Sequence, residues 1–113
     1  MLLTRDKTVI IYIIEHCLRI EEKVKGETFE SFETDEDLRD ILCFNLLQIG
    51  ELVKKLPDDL LKKYPEIPWK RVKGERDFIA HGYRYLNNET IWKSSVKEIP
   101  LLKQCCQKML KDN

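Results

Sequence analysis

Four side chains within one short stretch have types suited to chemistry: Arg76, Asp77, His81 and Tyr83. A guanidinium is permanently charged and offers a flat fork of donors that matches a phosphate. It is a natural group to stabilise the extra charge of a phosphorane-like transition state. A histidine takes or gives a proton near neutral pH, which suits His81 to general acid or base work. Asp77 could orient a base or balance the charge, and Tyr83 adds a hydroxyl on the same side as Arg76. Together they make a site that handles phosphate and protons, or a buried polar network that only holds helices in register.

The element that must position them reads as a helix starting at Pro68, a residue suited to a first helical position. Trp69, Val72, Arg76, Ile79 and Tyr83 follow three or four residues apart and share one face. Arg76 is the exception in this apolar stripe, and a guanidinium there needs a partner, because an unpaired buried charge is costly. At about 100° per residue, Arg76 and His81 differ by roughly 140° around an unbroken helix. Either the helix loosens before Gly82, or the cleft lies between two molecules. Metal-free RNA cleavage favours the second arrangement: the 2′-hydroxyl attacks, one group removes a proton and another donates one. His16 is the only other histidine, and it lies on the first helix. A two-fold dimer would bring two copies of Arg76 and His81 to a shared groove. Lys70, Arg71, Lys73 and Arg84 could line that groove for RNA, or form an ordinary solvated face.

The remaining elements are helical too. Thr4 is expected to cap a first helix whose stripe is Ile10, Ile13, Ile14, Cys17, Ile20 and Val24, ending at Gly26. Val9, Ile11 and Tyr12 widen its apolar arc, which hints at a second burial surface such as a dimer partner. Residues 27–33 read as an acidic loop anchored by Phe29 and Phe32. Thr34 is expected to cap a second helix, with Asp37 at the capping-box position. Its stripe runs through Leu38, Ile41, Leu42, Ile49, Leu52, Val53 and Leu56, with Asn45 inside it. Glu51 lies near its margin and reads as a solvated acid rather than a partner for a buried base. Pro57 ends or restarts that helix, residues 58–64 form a short helical turn, and the motif helix ends near Gly82. Asn87 or Asn88 starts a last helix through Trp92, Val96, Ile99, Leu102, Cys106 and Met109, kinked or divided by Pro100. The expectation is an all-α protein, an antiparallel bundle of four to five helices in one domain spanning 1–113.

Composition narrows the function classes. Twenty basic and twenty acidic residues cancel, so whole-molecule attraction to nucleic acid is not expected and any such binding needs a local patch. The stretch 69–85 supplies one, with Lys70, Arg71, Lys73, Arg76 and Arg84 against Glu75 and Asp77. Cys17, Cys43, Cys105 and Cys106 form no CxxC pair and fall at apolar helical positions, so they read as buried free thiols. The apolar run Val9–Ile14 is too short for a membrane span and lacks the flanks of a secretory signal. A reducing cytoplasm fits best. The two histidines and four cysteines show no metal-ligand spacing, and no Walker loop, HExxH, EF-hand or nucleophile elbow is present.

Arg76-Asp-Phe-Ile-Ala-His81 resembles the Arg-x4-6-His motif of the HEPN superfamily, with a polar residue directly after the arginine. With Gly82 and Tyr83 it is similar to the Arg-x4-His-x-Tyr form of the HepT-like branch of bacterial and archaeal toxins. Ile49-Gly-Glu51, Ile67-Pro-Trp69, and Trp92 followed by Ile99-Pro-Leu-Leu102 also look like that branch, so the resemblance covers nearly the whole chain. It implies an all-helical homodimer with both motifs at the interface. It implies a metal-independent endoribonuclease toxin, without a cofactor, that leaves a cyclic phosphate and a 5′-hydroxyl. Arg76 and His81 would be the catalytic pair, supported by Asp77. The implied partner is an MNT-type nucleotidyltransferase antitoxin that silences the toxin by attaching AMP to Tyr83. The superfamily also includes inactive members, which keeps open a second reading: a non-catalytic helical nucleotide-binding or scaffold partner of that nucleotidyltransferase. A third reading is a structural dimer in which Arg76 and Asp77 form a buried network.

Overall fold

A computed structural model of the chain describes residues 2–82 and 87–113. Helix α1 spans Thr4–Val24, α2 Phe29–Glu33, α3 Glu36–Lys54, α4 Asp58–Leu61 and α5 Trp69–Gly82. The last stretch is α6, Asn88–Lys93, then a π-helical segment Ser94–Glu98, then α7, Ile99–Asp112. The architecture is an all-α helical bundle, as the periodicity predicts, and among the described residues there is no strand. Among the described residues no helix is long and apolar enough to cross a membrane.

The start signals differ in detail from the sequence expectations. Thr4 is already helical; Leu3 stands at the N-cap of α1 and makes no side-chain cap. The acidic stretch after Gly26 is a short helix rather than a loop, because Thr28 and Ser31 form a reciprocal capping box. Thr34 ends this helix, and Asp35 caps α3 by accepting from the Leu38 backbone N–H at 3.0 Å. A carboxylate at the N-cap also suits the positive end of the helix. Gly26, at φ +79°, makes the left-handed turn that releases the chain from α1.

One hydrophobic core joins these helices. Ile10, Ile13, Cys17 and Ile20 of α1 meet Leu42, Leu46, Ile49 and Val53 of α3 and Leu102, Cys106 and Met109 of α7. Phe32 is fully buried and stacks on Trp92 with ring centroids 5.2 Å apart, which pins α2 to α6. Asn45 is the polar insertion in the α3 stripe; its amide oxygen lies 2.8 Å from His16 Nδ1 and its nitrogen donates to Ile41 O. All four cysteines are buried free thiols, in line with their apolar positions. Burial pushes the Cys17 thiol up to about 12 and Cys105 to about 11.

Two packings orient the motif helix. The Trp69 indole N–H donates to Tyr64 O at 2.9 Å, which anchors the start of α5 directly after Pro68. Helix α5 then runs antiparallel to α3, with Val72 and Arg76 beside Gly50 and Ile79 near Cys43. Pro100 has no N–H for the carbonyl of Val96, and the strain is taken up just before it. The Ile99 N–H instead reaches back five residues to Ser94 O, and α7 restarts with Pro100 in its first turn.

Candidate active site on α3 and α5

Arg76 emerges from α5 against Gly50 of α3. A Cβ on Gly50 would lie 2.4 Å from Arg76 Cβ and 3.3 Å from Val72 O, so only glycine permits this approach. The guanidinium then lies along α3. Its Nε pairs with Glu51 Oε1, and its Nη1 donates to Asp77 Oδ1 at 3.0 Å. The same Asp77 oxygen accepts from Lys54 Nζ at 2.9 Å. Four charged groups, two of each sign, thus form one network across the α3–α5 contact.

Glu51 is therefore the partner that the stripe demanded of Arg76, not the solvated acid its marginal position suggested. The arginine side chain is 28% exposed, which leaves a path from solvent to the guanidinium. Asp77 is held below the usual carboxylate range, first by the hydrogen bond from Lys54 and then by that from Arg76. It is an anion at neutral pH and a poor proton donor. Arg76 is pushed up in turn, chiefly by its hydrogen bond to Asp77.

His81 is exposed in the last turn of α5. The helix is continuous from Trp69 to Gly82, so the loosening that would have swung His81 towards Arg76 does not occur. Roughly 140° of helix rotation separates the two. Phe78, on the side of His81, is 70% exposed, and Phe44 of α3 is 54% exposed. Phe44 lines a shallow hollow with Cys43, Leu47, Ile79 and Ala80. Tyr83 and Arg84 lie outside the described residues.

The other predicted basic groups are divided. Lys70 is exposed. Lys73 reaches Asp58 at 3.3 Å, and Arg71 pairs with Glu98 across to the π-helical segment. Glu75, which faces that same segment, accepts from Ser94 Oγ at 2.9 Å. Burial raises its carboxyl, opposed by Ser94 and by Arg71. Arg71, Glu75, Ser94 and Glu98 rim an apolar cavity of about 190 Å³ between α5, α3 and α7, away from Glu51 and Lys54. Among the described residues no group of three or more His, Cys, Asp and Glu is placed to hold a metal ion.

A family model described as ribonuclease HepT-like matches residues 13–109. The chain belongs to the HepT-like family of the HEPN superfamily. This HepT-like chain is similar to a candidate RNase of Caldanaerobacter subterraneus subsp. tengcongensis, 37% identical over 99 residues that cover 88% of each protein. A candidate RNase of Methanocaldococcus jannaschii is 35% identical over 109 residues, 96% of this chain and 90% of that one. A candidate ribonuclease HepT of Thermococcus cleftensis is 34% identical over 99 residues, 88% of this chain and 90% of that one. No solved structure matches the HepT-like chain.

Gly50 and Lys54 were missed as site residues by sequence reasoning. A glycine inside a helical stripe costs about 1 kcal/mol against alanine, and that cost is a usable sign of close backbone approach. Lys54 left no comparable sign, because a lysine in a last helical turn is common for electrostatic reasons alone.

Proposed function

We propose that the chain is a metal-independent endoribonuclease toxin, acting as a single domain over 1–113 in the cytoplasm and assembled as a homodimer. Arg76 and His81 of the two chains converge on one phosphodiester. One imidazole takes the proton of the 2′-hydroxyl, which attacks the adjacent phosphorus. The other gives a proton to the departing 5′-oxygen, leaving a 2′,3′-cyclic phosphate and a 5′-hydroxyl. Arg76 stabilises the charge that builds on the phosphoryl oxygens, and Asp77 supports the arginine. Lys70 and Arg84 add contacts to the RNA backbone.

The observation that carries this reading is the division of the motif between two sides of one unbroken helix. Arg76 points to α3, whereas His81 shares an exposed side with Phe78. A second chain seated over Phe78 and Phe44 would cover that apolar surface and supply the missing half of the site. The family and the RNase names of its relatives support the substrate class. An MNT-type nucleotidyltransferase serves as antitoxin and attaches AMP to Tyr83, two residues beyond His81. A bulky anion there would block the groove and occupy the guanidinium.

Purified protein should cut single-stranded RNA, and His81→Ala should lose cleavage while keeping its helicity and dimer. Arg76→Lys should be nearly inactive, since an ammonium cannot make the forked contact. One observation favours the non-catalytic binding module instead: Glu51 and Asp77 both hold Arg76 in the free chain. Failure of the wild type on several RNAs after removal of any AMP would decide for that reading.

A further inference from the structure

The Lys54 ammonium and the Arg76 guanidinium converge on a single atom, Asp77 Oδ1, at 2.9 and 3.0 Å. Two cations aimed at one carboxylate oxygen outline a seat for any anionic oxygen of similar reach. A non-bridging phosphate oxygen makes the same charge-assisted hydrogen bonds at the same distances. The present occupant sits at the surface, since the Asp77 side chain is 55% exposed and can turn into solvent. Arg76 is fixed independently of it, at its Cβ by Gly50 and at its Nε by Glu51. Lys54 is anchored by the last turn of α3, with its side chain 37% exposed. Departure of the carboxylate would therefore leave two cations in place and an open seat.

We propose that Lys54 belongs to the RNA-binding site: Lys54 and Arg76 together seat a phosphate oxygen, and Asp77 fills that seat when RNA is absent. This rests on the reading of the chain as an RNA-cleaving protein and adds to it a residue from α3. It also changes the part played by Asp77, which competes with the substrate anion as well as supporting the arginine. A purely structural ion pair would behave differently, because removing either partner would then change stability and leave nucleic-acid affinity alone.

The test uses the 113-residue protein and a 2′-deoxy oligonucleotide, which cannot be cleaved by 2′-hydroxyl attack. Binding is measured by fluorescence anisotropy across a range of salt, with melting curves for every variant. Lys54→Gln should weaken binding roughly ten- to a hundredfold at low salt, the scale of one charge-assisted contact. It should also flatten the slope of log affinity against log salt by about 0.7, the single-strand value for one lost phosphate contact. Lys54→Arg should restore the slope. Asp77→Asn should tighten binding several-fold. The proposal is overturned if Lys54→Gln changes neither affinity nor slope, or if Asp77→Asn weakens binding as much as Lys54→Gln does. If the binding changes appear as expected but the matching ribonucleotide is never cut, the seat stands and the nuclease reading fails.

Discussion

Gly50→Ala is the sharpest test of how the fold positions Arg76. The added Cβ would lie 2.4 Å from Arg76 Cβ, 3.2 Å from Arg76 Cγ and 3.3 Å from Val72 O. Two of these are backbone or the first side-chain carbon, and neither swings away by a rotamer change. Ordinary contact between carbons begins near 3.5 Å, so α5 must move off α3 by about 1 Å. Overpacking of this kind costs about 1–3 kcal/mol. Alanine returns about 1 kcal/mol of helix propensity over glycine. The net destabilisation is thus about 0–2 kcal/mol, a fall in melting temperature of at most about 10 °C for a domain of this size. The effect on the site is larger, because the shift pulls the guanidinium from Glu51 and Asp77. A misplacement of about 1 Å can lower a rate about 100-fold. Single-turnover cleavage of a labelled RNA, measured well below both melting temperatures, should show that loss in a folded dimer. A folded Gly50→Ala dimer cutting within about twofold of wild type would refute the claim that this contact sets the arginine.

Mixing wild-type chains with an excess of His81→Ala chains should depress cleavage below the rate of the wild-type chains alone, because a mixed dimer keeps one of the two imidazoles that the step needs; a rate unchanged after verified exchange would place the whole site in one chain. Phe78→Asp should keep the single chain folded, given that Phe78 is 70% exposed there, yet shift the protein to monomer in sedimentation and abolish cleavage. Thermal stability should fall with rising pH above about 9. The Cys17 and Cys105 thiols are raised by burial from 9.0 to about 12 and about 11. A raised folded-state pKa contributes stability that is whole below the unfolded value and lost as pH climbs towards the folded one. Melting curves between neutral pH and pH 11 check this, and alanine at Cys17 should remove part of the slope.

Periodicity made the helices legible because each buries one stripe, and Ile10, Ile13, Cys17 and Ile20 are all buried as their spacing requires. Cap positions were harder to read. Thr28, Thr34 and Asp35 are all good N-cap residues, and the choice among them depends on Phe32, whose burial against Trp92 folds residues 29–33 into their own helix. That contact spans most of the chain and leaves no local trace. Arg76 and His81 were visible as chemistry, and the misfit of an arginine in an apolar stripe correctly demanded a partner. The identity of that partner was not visible. Glu51 and Lys54 sit at the edge of the α3 stripe, where charged residues are usually solvated. They become site residues only because Gly50 lets α5 approach within their reach.

That dependence ties the two sides of α5 to different parts of the protein. The arginine side is completed within the chain, by a glycine that sets the spacing and by charges that hold the guanidinium. On the histidine side no such partner stands among the described residues, and that side carries an exposed phenylalanine where a solvated helix would carry a polar residue. Changes on the first side act through the position of Arg76 and should persist at any protein concentration. If the proposed dimer forms over that surface, changes on the second side act through assembly and should weaken as the protein is concentrated, by mass action. The difference gives each variant a signature beyond loss of rate. A defect at Gly50 or Glu51 that concentration rescues, or one at Phe78 that it does not, would mean that the two sides have been assigned the wrong way round.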